Sequence, residues 1–165
     1  MSTVMADMSV DRRSNILLPA LVGGCAAAAL DAASAFYTFG WRMPKGIAAG
    51  LLGASARQGG AGTWTLGLSL HFAILIVAAV LYGIASWRWT FMRVNFLLCG
   101  VYYGISVFLF MNLVVVPLSA FPLSFAPFPV SGLIEGMLMH VLLVGLPISL
   151  SYRVLGREGA DLVSA

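Results

Sequence analysis

Four long runs of apolar residues, separated by short segments that carry most of the charge, form the pattern of this chain. They cover residues 16–40, 66–86, 96–116 and 130–150. Each run is long enough to supply the roughly 20 residues that a helix needs to cross a hydrocarbon core about 30 Å thick. Such unbroken runs predict helices, because strands of membrane β-barrels are about ten residues long and alternate in hydropathy. The pattern therefore predicts an all-α fold, a polytopic transmembrane bundle of four helices.

The composition excludes a water-soluble domain. Hydrophobic residues make up 61% of the 165 positions and charged residues only 9%, with a mean hydropathy of +0.98, whereas soluble domains carry roughly 25% charged residues. The net charge of +3 does not indicate nucleic-acid binding, because the basic residues are scattered between apolar runs. The expected surroundings are a lipid bilayer, with residues 1–15 as a leading segment, 16–150 as the transmembrane domain and 151–165 as a tail.

Basic residues predict the orientation. Six basic residues lie in the amino-terminal segment, the second loop and the tail, and three lie in the first loop. The six are Arg12, Arg13, Arg88, Arg93, Arg153 and Arg157, and the three are Arg42, Lys45 and Arg57. This excess favours both termini in the cytoplasm. The first run also ends near Ala33-Ser34-Ala35, which a signal peptidase could cut. Because the apolar run continues through Phe39, we interpret it as a membrane helix, and cleavage stays the alternative.

The first and third loops have features of their own. Pro44 suits the first turn of a short helix through residues 46–54, which Gly59 and Gly60 would end. About twelve residues are too few to span, so a re-entrant or interfacial helix is expected. The third loop, residues 117–129, holds four of the seven prolines and no charge, and we expect a stiff, extended cap at the membrane surface.

A few polar residues inside the apolar runs are the candidate functional residues. They are Asp31, His71, Asn112, Glu135 and His140. An ionisable group in a spanning helix is costly when it faces lipid, so each needs a partner or a water-filled site. At 1.5 Å per residue, Asp31 and His140 lie about 13–15 Å and the other three about 6–8 Å from the outer helix ends. All five therefore fall in the outer half, as a polar cluster.

The residues that neighbour the cluster along the chain indicate which way its members point. Asp31 shares its helix face with small residues at helical spacing, including Gly24, Ala27 and Ala28, so it is expected to face another helix. Glu135 and His140 are about 140° apart around one helix, so they cannot point at one spot without a bend. The third run has Gly100-x-x-x-Gly104, a close-packing signal that is common in apolar helices and carries little weight here.

Three interpretations of the cluster remain open. Asp31 could bond a His or Asn as a structural contact between helices. The acids and histidines could instead form a proton-titrating or ion-coupled path. The third interpretation is a metal or haem site, for which the ligand candidates are His71, His140, Glu135 and Asp31. No HExxH or paired Glu-x-x-His pattern is present, and the two histidines differ in depth by about 7 Å. We therefore predict no cofactor and no metal.

Enzyme motifs are missing from the sequence. It has no glycine-rich phosphate loop, no GxSxG elbow and no recognisable Ser/His/Asp set. A non-enzymatic protein is therefore favoured over an enzyme.

Several short motifs resemble a family of uncharacterised four-helix bacterial inner-membrane proteins over about residues 25–150. The motifs are Ala49-Gly50-Leu51-Leu52-Gly53-Ala54, Leu70-His71-Phe72, Met111-Asn112, Pro117-Leu118-Ser119-Ala120 and Gly145-Leu146-Pro147-Ile148. The chain is also distantly similar to the YagU-like inner-membrane proteins, which share a His early in one helix and a Glu and a His on the last. The resemblance implies a bacterial inner-membrane location and a family pattern at His71, Asn112 and Pro117, and it implies no reaction.

The sequence favours a small transporter-like or proton-responsive membrane protein that uses the polar cluster. The alternative is a non-catalytic accessory subunit or assembly factor of a membrane complex, in which the cluster only holds helices together. Because four short helices leave little interior, a homo-oligomer or a larger membrane complex is expected.

Overall fold

A computed structural model describes residues 2–122 and 130–156, and these residues form helices joined by short turns, with no β-strand among them. Four of the helices are long and apolar enough to cross a membrane. The predicted all-α transmembrane bundle is therefore confirmed. We call the four helices the first to fourth spans.

The helices are somewhat longer than the apolar runs. The first span is Ser2–Phe39, the second is Ala61–Arg88, the third is Phe96–Leu118, and the fourth runs from Val130 to Val154. A short helix, Phe91–Val94, joins the second and third spans. Since Pro117 lies within the last turn of the third span, the third loop begins later than predicted. Most of that loop, residues 123–129, lies outside the described residues, as does the expected extended cap.

The predicted helix in the first loop is present. It is Met43–Leu52, with Pro44 in its first turn, and a 3-10 turn, Gly53–Gln58, follows it. We call Met43–Leu52 the loop helix. Gly53 has φ +65°, a conformation that glycine adopts without steric cost. This glycine ends the loop helix before Gly59 is reached.

The loop helix packs against the second span and against the residues that follow the third. Gly67 of the second span lies so close to Pro44 that a Cβ at residue 67 would overlap the Pro44 carbonyl group. At the other end of the loop helix, the Ala120 amide donates a hydrogen bond of 2.9 Å to the Gly50 carbonyl oxygen. The loop helix thus links the second span to the residues that follow the third, and we call this the loop-helix end of the bundle.

Small residues bring the first span close to its neighbours. Ala27 and Ala28 are fully buried. A Cβ at Gly24 would lie 2.8 Å from the Ile76 Cα of the second span. Transmembrane helices pack closely where small residues let the backbones approach. The face that Asp31 shares with these residues is therefore an interior face, as the spacing predicts.

The third and fourth spans also meet through glycine. A Cβ at Gly145 would overlap the Gly100 carbonyl oxygen, and one at Gly104 would lie 2.5 Å from the Val141 Cα. The Gly100-x-x-x-Gly104 motif, which the sequence analysis weighted lightly, is the contact surface between these two spans.

Both of these spans contain one π-helical segment. The segments are Met111–Val115 and His140–Gly145, and each contains one residue of the predicted cluster. In each, a backbone amide bonds the carbonyl five residues earlier, Val116 to Met111 and Leu146 to Val141. Single π-turns inside α-helices occur frequently at functional sites. Nothing in the apolar pattern of the sequence distinguishes them from α-helix.

Gly145→Ala is expected to lower the free energy of unfolding by about 1–3 kcal/mol, because the added methyl group forces the third and fourth spans apart. Gly46→Ala is the matched control, since a Cβ there meets no atom within 4 Å. Thermal melts of the two variants in the same detergent measure the difference. Equal melting temperatures would contradict the packing at Gly145.

Candidate functional site

Asp31 and His71 face each other between the first and second spans. Nε2 of His71 lies 3.8 Å from Oδ2 of Asp31, and the two side chains are only 8% and 16% exposed. The same Nε2 lies 3.1 Å from the Ala28 carbonyl oxygen. Because a carbonyl oxygen only accepts, Nε2 carries a hydrogen in this arrangement. We call these two side chains the Asp31–His71 pair.

The Asp31–His71 pair can hold a variable number of protons. With Nε2 protonated and Nδ1 free, His71 is neutral and still able to take up a proton at Nδ1. Protonation makes the ring a cation next to the carboxyl group, and opposite charges within about 4–6 Å attract strongly where water is scarce. The pair lies near the loop-helix end, because His71 is about one turn from Gly67, which touches Pro44.

His140 lies at a different contact, between the third and fourth spans, and Asn112 lies on the third span. Nδ1 of His140 is 2.9 Å from the Gly136 carbonyl oxygen, and Nδ2 of Asn112 donates a hydrogen bond of 2.8 Å to the Phe108 carbonyl oxygen. The Phe108 ring packs edge-on against the His140 ring with centroids 5.4 Å apart. Both polar side chains thus bond to carbonyls of their own helices, next to the π-helical segments.

Glu135 faces away from the bundle. Its side chain is exposed, whereas His140 is half-buried against the third span. The two residues thus point in different directions, in agreement with their spacing. No described residue gives Glu135 a hydrogen bond or an ion pair.

Of the five predicted residues, only Asp31 and His71 therefore meet. They lie between the first and second spans, whereas His140 lies against Phe108 of the third span, Asn112 bonds within the third span, and Glu135 is exposed on the fourth. Within residues 2–122 and 130–156, no three His, Cys, Asp or Glu side chains are grouped to hold a metal ion.

The other half of the bundle contains a polar group that the sequence analysis missed. Three tyrosine rings pack together: the Tyr103 ring lies edge-on to the Tyr82 ring and the Tyr152 ring is tilted against it, with centroids 5.0 Å and 5.6 Å from that of Tyr82. We call them the tyrosine group. They lie toward the opposite end, where Arg153 donates to the Val94 carbonyl and covers the Phe96 ring. Tyr103, seven residues inside the third apolar run, was the one available signal, because Tyr82 and Tyr152 lie near or beyond the ends of their runs, where tyrosines are common.

The tyrosine group bonds backbone carbonyls on several helices. The Tyr152 hydroxyl lies 3.1 Å and 3.0 Å from the carbonyl oxygens of Ile16 and Ala79, on the first and second spans. Tyr103 donates to Ala78 and Tyr82 to Met92. A buried hydroxyl needs such an acceptor, because unpaired polar groups are costly in an apolar surrounding. The tyrosine group therefore joins the spans structurally.

Comparisons with models of protein families, with curated proteins and with solved structures give no match. The four spans define the class of the protein as a multi-pass membrane protein.

Tyr152→Phe is expected to lower the free energy of unfolding by about 1–2 kcal/mol, because the hydroxyl hydrogen bonds to two spans are lost. Tyr102→Phe is the matched control, since Tyr102 is 64% exposed and outside the tyrosine group. Thermal melts monitored by circular dichroism measure both variants. A Tyr102→Phe loss as large as that of Tyr152→Phe would contradict the assigned role.

Proposed function

We propose that this chain is a small transporter-like or proton-responsive protein of the bacterial inner membrane, and that the Asp31–His71 pair is its proton-binding site. The observation that supports the proposal is the 3.8 Å approach of a carboxylate and an imidazole between two spans, both largely buried. Carboxylates and histidines inside spanning helices commonly mark proton and ion pathways. The resemblance to small four-helix inner-membrane proteins supports the location, and the excess of basic residues supports cytoplasmic termini.

One proton changes the charge of the pair. With a neutral imidazole and an ionised carboxyl group, the pair carries one negative charge between the spans. Uptake of one proton at Nδ1 of His71 gives an imidazolium beside a carboxylate, with no net charge. The two states differ in how strongly the first span attracts the second. Proton uptake can therefore be coupled to movement of the second span relative to the first.

The loop helix is suited to sense this movement. It contacts the second span at Gly67, about one turn from His71, and it also bonds Ala120 through Gly50. A shift of the second span along its axis displaces Pro44 directly, because the Gly67 contact leaves no gap. In this proposal, the charge of the Asp31–His71 pair controls how the loop helix covers the bundle end.

The second candidate is a non-catalytic accessory subunit or assembly factor. The observation that favours it is that both histidine rings already bond backbone carbonyls, His71 to Ala28 and His140 to Gly136. Rings held in this way serve as structural contacts, and an interhelical bond such as that between His71 and Ala28 is worth about 0.6–2 kcal/mol in a membrane. The two candidates differ in whether removing the charge changes proton movement or only stability.

Proton flux into liposomes separates the two candidates. The purified chain is reconstituted, a membrane potential is imposed, and an enclosed pH-sensitive dye is followed. We expect Asp31→Asn and His71→Gln each to reduce flux at least about tenfold, because each removes one of the two proton-binding groups. Both replacements keep the size and hydrogen-bonding ability of the side chain. Their melting temperatures are therefore expected to stay within a few degrees of the wild type.

Ser106→Ala is the matched control. Its hydroxyl bonds the Tyr102 carbonyl of its own helix on an exposed face, so flux should remain unchanged. Wild-type flux in Asp31→Asn and His71→Gln, together with a lost melting transition, would contradict the proposal and support the structural role. Absence of flux in the wild-type protein, with no pH-dependent hydrogen exchange in the second span, would contradict both transport and proton response.

A further inference from the structure

Positive charge is concentrated at the end of the bundle opposite the loop helix. Arg88 lies in the last turn of the second span, Arg93 in the short helix that follows it, and Arg153 in the last turn of the fourth span. The two carboxylates whose side chains the structure describes, Asp31 and Glu135, lie in the halves of their spans that are nearer the loop helix. Among the described side chains, no acid therefore neutralises these three arginines.

The guanidinium group of Arg93 has no hydrogen-bond partner among the described residues. Its Nε atom is buried, although the side chain as a whole is only half-buried. A guanidinium group stays charged and offers five N–H donors. A buried donor of a charged group is costly when it has no acceptor. We therefore expect an acceptor for Arg93 that the described part of the chain does not supply.

Arg153 approaches the same short helix from the fourth span. Its Nη1 atom donates a hydrogen bond of 3.0 Å to the Val94 carbonyl oxygen, and its guanidinium carbon lies 4.7 Å from the centre of the Phe96 ring. Val94 directly follows Arg93, so two arginines from distant parts of the sequence meet at one short helix. Arg153 uses one of its five donors in this contact, which leaves others for a ligand.

Aromatic residues indicate the depth of these arginines in the membrane. Trp87, Trp89 and Phe91 are exposed by 56%, 62% and 59%, and they alternate along the chain with Arg88 and precede Arg93. Exposed tryptophans of membrane proteins are enriched at the level of the lipid headgroups. Arg88 and Arg93 are therefore expected at the depth where the phosphate groups of the lipids lie.

We propose that Arg93 and Arg153 bind the phosphate group of an anionic phospholipid, and that Arg88 adds a third positive charge beside them. We call these three residues the arginine site. The planar guanidinium group matches a phosphate, because two of its N–H groups can bond two phosphate oxygens at once. Basic groups between membrane helices bind anionic headgroups in this way. The phosphate would supply the acceptor that Arg93 lacks.

The surroundings favour a lipid over a phosphate in solution. The third span begins beside the arginine site, and its residues Leu97 and Leu98 are exposed by 59% and 51%. Acyl chains of a lipid held at the arginine site can lie on this apolar surface. An anionic headgroup is favoured over a zwitterionic one, because no described carboxylate is present to receive the ammonium group of the latter. The arginine site is separate from the Asp31–His71 pair, so the proposal does not rest on proton movement.

Thermal melts with added lipid test the binding. The purified full chain in dodecyl maltoside receives equal mole fractions of dioleoyl phosphatidylglycerol or dioleoyl phosphatidylcholine. A ligand that binds the folded state raises the melting temperature. We expect phosphatidylglycerol to raise it by about 3–6 °C more than phosphatidylcholine does, with saturation. Inorganic phosphate at the same concentration is expected to give no shift, since it has no acyl chains to contact the third span.

Arginine variants test the assignment of the site. Arg93→Gln and Arg153→Gln are each expected to remove at least about half of the difference between the two lipids, because each removes one charged fork. Arg42→Gln is the matched control, since Arg42 is also exposed and follows a tryptophan, but lies at the loop-helix end. It should retain the full difference. Each variant is compared with itself in the two lipids, so a general loss of stability does not affect the result.

Several results would overturn the proposal. Equal shifts with the two lipids in the wild-type chain would show that the headgroup charge is not recognised. A full lipid difference in Arg93→Gln would place the lipid elsewhere. A shift with inorganic phosphate as large as that with phosphatidylglycerol would indicate a site for free phosphate. A lipid difference that appears only when Glu158→Gln and Asp161→Asn are combined would mean that acids of the tail occupy the arginine site.

Discussion

The close approach of the first and second spans is the contact on which the candidate site depends. Gly24 lets the backbones meet, and the buried Ala27 and Ala28 keep them close. Only at this separation can the His71 ring reach both the Ala28 carbonyl and the Asp31 carboxyl group. In the lipid core, polar groups find no water to hydrogen-bond with, so they need partners within the protein. The small residues therefore determine where an acid and a histidine can be tolerated.

Buried polar groups find their hydrogen-bond partners differently at the two ends of the bundle. Toward the loop-helix end, the Asp31–His71 pair and the Ala28 carbonyl oxygen provide the polar contacts between the spans. Toward the other end, the tyrosine group joins the spans through neutral hydroxyls that donate to backbone carbonyls. The bundle thus combines one half that is held by hydroxyl hydrogen bonds with another half that contains the acid and the histidine of the proposed proton-binding site. If the proposed function is right, movement is expected to be concentrated toward the loop-helix end.

The sequence predicted the helices well because spanning a membrane requires long apolar runs, and these are directly visible. It also predicted the loop helix from Pro44 and the interior position of Asp31 from its small neighbours. Hydropathy could not show which polar residues meet, because depth along a helix does not determine rotation around it. His71 and His140 were thus predicted in one cluster, although they lie at different helix contacts. The π-helical segments and the Gly145 contact depend on backbone geometry, which apolar sequences do not encode visibly.

The central claim is that Asp31 and His71 act as one proton-binding unit that is separate from His140. Nitrogen NMR of the two labelled histidine rings in bilayers tests it most directly, with signals assigned through His140→Gln. The account predicts that Asp31→Leu alters the titration curve of the His71 ring and leaves that of the His140 ring unchanged. An unaltered His71 curve, or equal changes in both rings, would contradict it.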